Sequence, residues 1–255
     1  RGEAARAAAE VAEYQIRNTE QNVLLEVVQA YMSVLSGREL LSLRQENISF
    51  FQAQLQSAQD RLDVGEGTRI DVAQAEARLA QGQAAYQASL STLQTSEATF
   101  QRLVGQRPQG LSTSHGYANL IPRSIDAAIS EAEIGHPAIL LSKASIRSAQ
   151  ASSDAAKAAF GPTATVRQAN LNQIKSEVDA MGAYDQIREA VISAWTGIQS
   201  ADAQISAAQA AVTSSNTVLD GVIQERDLGT ATTLDVLNAQ ADLTSARESL
   251  INASN

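Results

Sequence analysis

Acidic residues cluster around two similar segments of the chain. The first segment reads DVGEGTRID (63–71) and the second reads DLGTATTLD (227–235). Carboxylates repeated around a narrow mouth would attract cations, whereas carboxylates in the first turn of a helix stabilise its N-terminus and face solvent. The sequence alone leaves both interpretations open. The acids concerned are Asp60, Asp63, Glu66, Asp71, Glu76, Asp220, Glu225, Asp227, Asp235 and Asp242.

No arrangement of residues typical of catalysis accompanies these acids. The two histidines, His115 and His136, lie in loop-like sequence, and the chain has no cysteine. No zinc-binding or phosphate-binding pattern occurs. The sequence therefore predicts no catalytic residue, no bound metal, no cofactor and no enzymatic activity.

The composition favours helices and excludes some partners. The chain has 255 residues, a net charge of −9, 4% aromatic residues and four prolines. Alanine, glutamine and serine dominate, and such sequences form helices readily. Because no basic run is present, a nucleic-acid partner is not expected. No stretch approaches 18 consecutive apolar residues, so no transmembrane helix is predicted.

The first 104 residues predict a long helical hairpin. A helix is expected from Glu3 to Leu62, since glycine interrupts it only once, and its length would be about 90 Å. Apolar residues in its second half alternate at three- and four-residue spacing, which is typical of a coiled-coil seam. VGEG then ends the helix, and Thr68 with Asp71 forms a capping signal for a second helix, Arg69 to Val104. The seam residues are Ile48, Phe51, Leu55, Ala58 and Leu62.

The rest of the chain contains a second hairpin. A glycine- and proline-containing region predicts a short helix from Ser124 to Ile134, and His136-Pro137 opens another helix that runs to Phe160. The second long helix is expected from Arg167 to Asp227, after a short joint. LGTA (228–231) ends it, and a last helix follows. We call VGEG (64–67) the first tip and LGTA the second tip. The predicted divisions are 1–104, 105–142, 143–160, 161–166 and 167–255.

The two hairpins are copies of one unit. Residues 63–79 and 227–243 align without a gap at an offset of 164, and eight of the seventeen positions are identical. The same offset aligns Ala30-Tyr31 with Ala194-Trp195. The sequence therefore predicts an all-α fold with two tandem antiparallel coiled-coil hairpins. Alanine-rich flanks such as 207–211 favour side-by-side packing of several hairpins.

These features resemble the TolC family of outer-membrane channels. VGEGTRIDVAQAEARL and LGTATTLDVLNAQADL are similar to the family's periplasmic turns, and SIDAAISEAE is similar to part of its equatorial region. The resemblance implies a homotrimer whose helices form an α-helical barrel through the periplasm of a Gram-negative bacterium. It also implies a periplasmic adaptor, an inner-membrane pump of the RND or ABC type, and a role in drug efflux or type I protein secretion.

The chain departs from the family in three places. FGPTATV (160–166) stands where a membrane β-hairpin is expected, and the opening helix of the first repeat is missing. The resemblance therefore implies a periplasmic portion that lacks the strands through which the family enters the membrane. At the second tip, Arg226 and Ala231 stand where a familiar member has a tyrosine and an arginine, and Asn238 replaces a lumenal aspartate.

The resemblance assigns roles to the tip residues. Asp71 and Asp235 would line the lumen at the gate, and Arg69 or Arg226 would pair with Asp71 as a latch, with Asn238 beside it. Glycine at a tip would let the backbone of an adaptor approach closely. The expected adaptor contacts are Val64, Gly65, Gly67, Thr68, Leu228, Gly229, Thr230 and Thr232.

Two structural classes remain as alternatives to a channel. Flagellin-like filament proteins share the cysteine-poor, alanine- and glutamine-rich helices, but they do not predict a gapless repeat with glycine tips. A rod-like helical scaffold predicts parallel dimers without a central hole.

Overall fold

Six helices make up the described part of the chain. The computed structural model describes residues 2–112, 121–159 and 162–254, with side chains from residue 5 onward, and contains no strand within those ranges. The all-α prediction is confirmed. None of the helices in the described ranges carries an apolar stretch sufficient to cross a lipid bilayer. The helices are α1 (Gly2–Asp63), α2 (Arg69–Val104), α3 (Ile125–Gly135), α4 (Pro137–Ala158), α5 (Thr163–Asp227) and α6 (Thr233–Ser254).

The chain packs as two compact units, each built from separate stretches of sequence. Unit 1 comprises Arg1–Leu25 and Ser114–Gln199, and unit 2 comprises Glu26–Thr113 and Ser200–Asn255. Unit 2 therefore contains the tip hairpins of both repeats. The sequence-based division by repeat stays a prediction, because this grouping follows packing and mixes the two repeats.

Helix α5 begins earlier than the sequence analysis expected. The predicted joint 161–166 ends at Pro162, and α5 starts at Thr163 instead of Arg167. The amide N–H groups of Thr165 and Val166 already donate to the carbonyl of Pro162, at 2.9 and 3.2 Å. Proline suits the start of a helix because its φ is preset, so Pro162 itself marks the start of α5. Helix α4 ends at Ala158, while Phe160, Gly161 and His115 lie outside the described residues.

Unit 1 is joined by polar contacts between its helices. Ser153 is fully buried and its hydroxyl donates to Oδ1 of Asn170 at 2.8 Å. The Lys143 ammonium lies 5.6 Å from the ring centroid of Tyr184, and Arg147 forms an ion pair with Glu10. These contacts connect α4 to α5 and to the first turns of α1.

His136 caps helix α4 and gives this end of the helix a pH dependence. Its Nδ1 accepts a hydrogen bond from the Ala138 amide at 3.2 Å, and partial burial lowers the pKa of the imidazole below its usual value. Protonation would remove the acceptor and place a positive charge at the positive end of the helix dipole. The stabilising contribution is thus complete above about pH 6.5, the ordinary histidine pKa, and is lost as the pH falls through the folded-state pKa.

His136→Asn should make this helix cap insensitive to pH, because asparagine caps helices without titrating. Between about pH 7.5 and about pH 5, the wild-type protein should lose more stability than the variant, by less than the roughly 1 kcal/mol of one full cap, because solvent screens an imidazole that is only partly buried. Thermal unfolding followed by far-UV circular dichroism measures this difference, and carboxylate titration cancels between the two proteins. Equal losses would show that His136 does not couple stability to pH.

Unit 2 is held together by close approach of helices at glycines. Phe51 is 4% exposed, and a Cβ built on Gly82 would lie 3.1 Å from its ring. Gly37 likewise faces Leu93, whose Cδ1 would be 3.1 Å from an added Cβ. Small residues opposite large ones let α1 and α2 pack closely. The apolar clusters around these contacts are Ala30, Val34, Leu93 and Phe100, and separately Leu219, Val236, Ala239 and Leu243.

Candidate functional site: the two helical tips

The first tip ends helix α1 with a left-handed glycine. Gly65 has a φ of 81°, and its amide donates to the carbonyl of Leu62 at 3.1 Å. The next amide, that of Glu66, donates to the carbonyl of Arg61 at 2.8 Å. This pair of hydrogen bonds is the Schellman motif, which satisfies carbonyls left open at a helix end.

The second tip repeats the same turn. Gly229 has a φ of 80° and donates to the carbonyl of Arg226 at 2.9 Å, and the Thr230 amide donates to Glu225 at 2.8 Å. The Thr230 hydroxyl adds a bond to the same carbonyl at 2.9 Å. The two segments that are alike in sequence are therefore alike in backbone geometry.

The tips differ at one position, where Gly67 corresponds to Ala231. A Cβ built on Gly67 would lie 3.0 Å from the backbone nitrogen of Leu62. The second tip accommodates this methyl group: its Ala231 amide lies 3.2 Å from the Glu225 carbonyl, whereas the Gly67 amide lies 2.9 Å from the Arg61 carbonyl. The turn therefore tolerates alanine here with a slightly longer hydrogen bond.

Each tip leads into a reciprocal capping box. The Thr68 amide and hydroxyl donate to Oδ2 of Asp71 at 2.9 and 2.6 Å, and the Asp71 amide donates back to the Thr68 hydroxyl at 3.2 Å. Thr232 and Asp235 form the same three bonds at 2.8, 2.6 and 3.2 Å. The capping interpretation is confirmed for both acids, and their position in a lumen stays a prediction.

Asp235 carries its negative charge in an exposed position. The hydrogen bonds from the side chain and the backbone of Thr232 lower the pKa of this carboxyl below its usual value. A carboxylate that accepts hydrogen bonds is stabilised in its ionised form. Asp235 is therefore anionic at neutral pH and able to attract a cation at the tip.

Two apolar side chains project from the tips. Val64 is 71% exposed and Leu228, its counterpart in the second repeat, is 80% exposed. Each precedes its left-handed glycine, so the two repeats present the same apolar group beside the same turn. Thr68, Thr230 and Thr232 are exposed as well, and Gly67 is half-buried.

The predicted latch residues make different contacts in the structure. Arg226, only 11% exposed, donates to Oε1 of Gln54 at 2.5 Å and pairs with Asp227 at 3.0 Å. Asn238 accepts a hydrogen bond from Arg78 at 2.7 Å. The Asp71 carboxylate instead accepts hydrogen bonds from Thr68, the N-cap residue of α2. In the described part of one chain, neither Arg69 nor Arg226 pairs with it. A latch between neighbouring copies stays a prediction.

A buried polar network, which the sequence analysis missed, joins the two hairpins. Oδ1 of Asn47 accepts hydrogen bonds from Nε2 of Gln240 at 3.0 Å and from the Thr244 hydroxyl at 3.2 Å. All three residues are buried. Buried polar groups that satisfy one another fix the register of packed helices. The signal in the sequence is the seven-residue spacing of Asn47 and Gln54 beside the apolar seam.

Ion pairs extend this network along α6. Arg44 pairs with Glu248 at 2.6 Å, and Arg247 pairs with Glu46 at 3.3 Å. Both pairs are partly exposed, so each contributes modestly. Together with the Asn47, Arg78 and Arg226 hydrogen bonds they form what we call the cross-hairpin contacts. The pairs are Arg44–Glu248, Glu46–Arg247, Asn47–Gln240, Asn47–Thr244, Gln54–Arg226 and Arg78–Asn238.

Comparison with known proteins finds similarity to outer membrane efflux proteins. Residues 1–106 match the family described as outer membrane efflux protein. The outer membrane efflux protein BepC of Brucella suis biovar 1 (strain 1330) is 34% identical, over 93% of this chain and 61% of BepC. The chain is similar to TolC-like outer membrane efflux proteins. It spans about three fifths of the length of BepC.

Solved channel structures share the fold of this chain. A structure of CusC superposes with a TM-score of 0.87 at 18% identity, covering 99% of this chain and 69% of CusC. The CmeC outer membrane channel of Campylobacter jejuni gives a TM-score of 0.75 at 16% identity, covering 98% of this chain and 63% of CmeC. These likenesses confirm the arrangement of helices predicted from the sequence.

The matched proteins bear on two further predictions. Outer membrane efflux proteins, the family whose model matches residues 1–106, are transport channels and not enzymes. They are outer-membrane proteins of Gram-negative bacteria, and the helical part of the family lies in the periplasm. The filament and rod alternatives find no support among the relatives.

Proposed function

We propose that this chain forms the periplasmic tunnel of a homotrimeric outer-membrane channel for drug efflux. The observation that carries the proposal is the duplicated tip, in which two hairpins present the same left-handed glycine, capping box and exposed apolar residue. The description of BepC as an efflux protein favours efflux over protein secretion.

The tips are the proposed docking site of a periplasmic adaptor. Val64 and Leu228 expose apolar surface that a partner would bury, and nothing lies within 4 Å of a Cβ built on Gly65 or Gly229. An adaptor backbone could therefore approach both glycines. The adaptor would connect the channel to an inner-membrane pump of the RND or ABC type.

Opening would move the hairpins as intact bodies. Each tip is closed by hydrogen bonds within its own turn and capping box. The cross-hairpin contacts, by contrast, are made by side chains, and Gln54–Arg226 is the one nearest the second tip. A rearrangement that separates hairpins would break these contacts and leave the tips unchanged, which suits a two-state switch.

Complementation tests the proposed function. The protein at its full natural length would be expressed in a Gram-negative strain that lacks its own outer-membrane efflux channel, and export of a fluorescent dye would be measured. Restored export, dependent on the pump, is expected. Absence of dye export together with restored secretion of a type I substrate would contradict the efflux assignment.

Asp235→Asn should weaken the block of this channel by multivalent cations. Asparagine keeps a hydrogen-bond acceptor for Thr232 but removes the charge, and a symmetric trimer would lose three charges at one constriction. The concentration of hexaamminecobalt that halves the conductance in planar bilayers is expected to rise about tenfold or more, as for ligands that lose a close charged partner. Asp126→Asn, an equal charge change in α3, is the control. Identical block in both variants would place Asp235 outside the conducting path.

A further inference from the structure

A cavity in unit 2 lies where helices α1, α2 and α6 meet. Its volume is about 300 Å³, at the lower end of the range for pockets that hold small ligands, about 300–1,000 Å³. The cavity contacts both hairpins, and polar side chains of all three helices line it. They are Arg44 and Asn47 of α1, Arg78 and Gln81 of α2, and Ser245 and Glu248 of α6.

The charge of the cavity wall is opposite in sign to that of the chain. Two guanidinium groups and one carboxylate, those of Arg44, Arg78 and Glu248, line the cavity and leave one positive charge in excess. The chain as a whole carries a net charge of −9. Because a concave surface with one sign of charge concentrates ions of the opposite sign, this cavity favours anions, in contrast to the acidic tips.

Both arginines are held in place by residues of α6. Nη1 of Arg44 pairs with Glu248 at 2.6 Å, and Nη2 of Arg78 donates to Oδ1 of Asn238 at 2.7 Å. Neither contact uses the whole guanidinium, which has five N–H donors. Nε of Arg44 is buried and has no hydrogen-bond partner among the described residues. Because an unpaired buried donor is costly, a further acceptor beside this guanidinium would be favourable.

Asn47 adds an amide donor to the cavity wall. Its Oδ1 accepts hydrogen bonds from Gln240 and Thr244, whereas its Nδ2 donates to none of the residues that the structure describes. The residue is 6% exposed and lines the cavity. An amide nitrogen in such a position needs an acceptor from water or from a ligand.

The two arginines are not part of the repeated unit. At the offset of 164 residues, Arg44 corresponds to Ala208 and Arg78 corresponds to Asp242. The second hairpin therefore forms its helices without these side chains. Pairing between the hairpins accounts for one contact of each arginine with α6, and it leaves the remaining donors without a role.

We propose that this cavity binds a phosphate group, either free phosphate or the phosphate of a small ester. Arginine suits phosphate because its planar fork donates two parallel hydrogen bonds. Arg44 and Arg78 reach the cavity from separate helices, which suits a tetrahedral anion better than a planar carboxylate. Bound phosphate would connect the first hairpin with α6 of the second and so stabilise unit 2. The site lies within one unit of one chain, so it does not depend on the proposed channel assembly.

Calorimetric titration of the purified chain with inorganic phosphate tests the site. The ionic strength is kept constant, because salt screens exposed charges, and one phosphate per chain is expected to bind. Arg78→Gln should weaken binding about tenfold or more, since it removes a close charged partner. The control is Arg102→Gln, the same charge change at an exposed residue that lies about 36 Å further along α2. This control should bind phosphate as tightly as the wild-type chain.

Asn238→Ala separates loss of the phosphate site from loss of packing between the hairpins. It removes the same contact of Arg78 but keeps both guanidiniums, so it should bind phosphate more tightly than Arg78→Gln does. Urea unfolding of the wild-type chain gives a second measurement. Phosphate at about a hundred times its dissociation constant should raise the ratio of folded to unfolded protein about a hundredfold.

Titrations with succinate and glycerol 3-phosphate identify the anion. Tighter binding of glycerol 3-phosphate than of free phosphate would assign the site to a phosphate ester, and the reverse order would assign it to the free ion. Succinate that binds as tightly as phosphate would overturn the phosphate assignment. The site itself would be overturned by the absence of saturable phosphate binding, which would leave only water in the cavity. Equal weakening by Arg78→Gln and Arg102→Gln would overturn it as well.

Discussion

Phe51→Ala is expected to lower the free energy of unfolding of unit 2 by about 3–5 kcal/mol, the usual cost of removing a buried aromatic ring. The ring is 4% exposed and lies against Gly82, which has no side chain to occupy the space. It also makes an edge contact with Phe50, with centroids 6.1 Å apart. Urea unfolding followed by far-UV circular dichroism measures the change.

A double-mutant cycle identifies the partner of this ring. Gly82→Ala places a methyl group where the Phe51 ring leaves little room. In the wild-type background, the steric clash with the ring should therefore offset the stability gained from the higher helix propensity of alanine. In the Phe51→Ala background the same change should stabilise by about 1 kcal/mol, its full propensity gain. Val28→Ala on the exposed part of α1 should cost less than about 0.5 kcal/mol. A small effect of Phe51→Ala, equal to that of Val28→Ala, would contradict the packing described.

Valine at both tip glycines, Gly65→Val and Gly229→Val, is expected to reduce efflux to the background of a strain without the channel. Both positions have φ near 80°, where a residue with a Cβ costs about 1–2 kcal/mol and a β-branched residue more. The cost is local, so helix content should remain, and the turn that we propose as the docking site of an adaptor should be lost. Dye export and circular dichroism of the purified protein measure the two effects.

Asparagine at the same glycines separates turn formation from partner contact. Asparagine adopts the left-handed conformation with little strain, so Gly65→Asn and Gly229→Asn should keep the turn and add a side chain. If the adaptor backbone approaches the glycines, these variants also fail to export. Full export by the asparagine variants would show that the glycines serve only the turn. Export by the valine variants would remove the tips from the docking site.

The sequence predicted several ends of helices for which the signal is local. The bounds of α2, Arg69–Val104, agree with the structure, and both capping boxes form as the Thr and Asp spacing indicated. Each of these features depends on hydrogen bonds between residues three to five apart, so neighbours in the chain contain the necessary information. The missed start of α5 after Pro162 belongs to the same class, since the proline signal was present.

Only the tertiary structure decided which faces of the helices meet. Gln240 bonds to Asn47 across 193 positions of the chain, and Arg226 bonds to Gln54 across 172. A polar residue beside an apolar seam indicates that the helix has a second packed face. Which residue contacts that face depends on the register and rotation of the two packed helices. The sequence therefore determined the repeated helix, tip and helix. Packing determined that Arg226 holds Gln54 instead of Asp71, and that Gly82 makes room for Phe51.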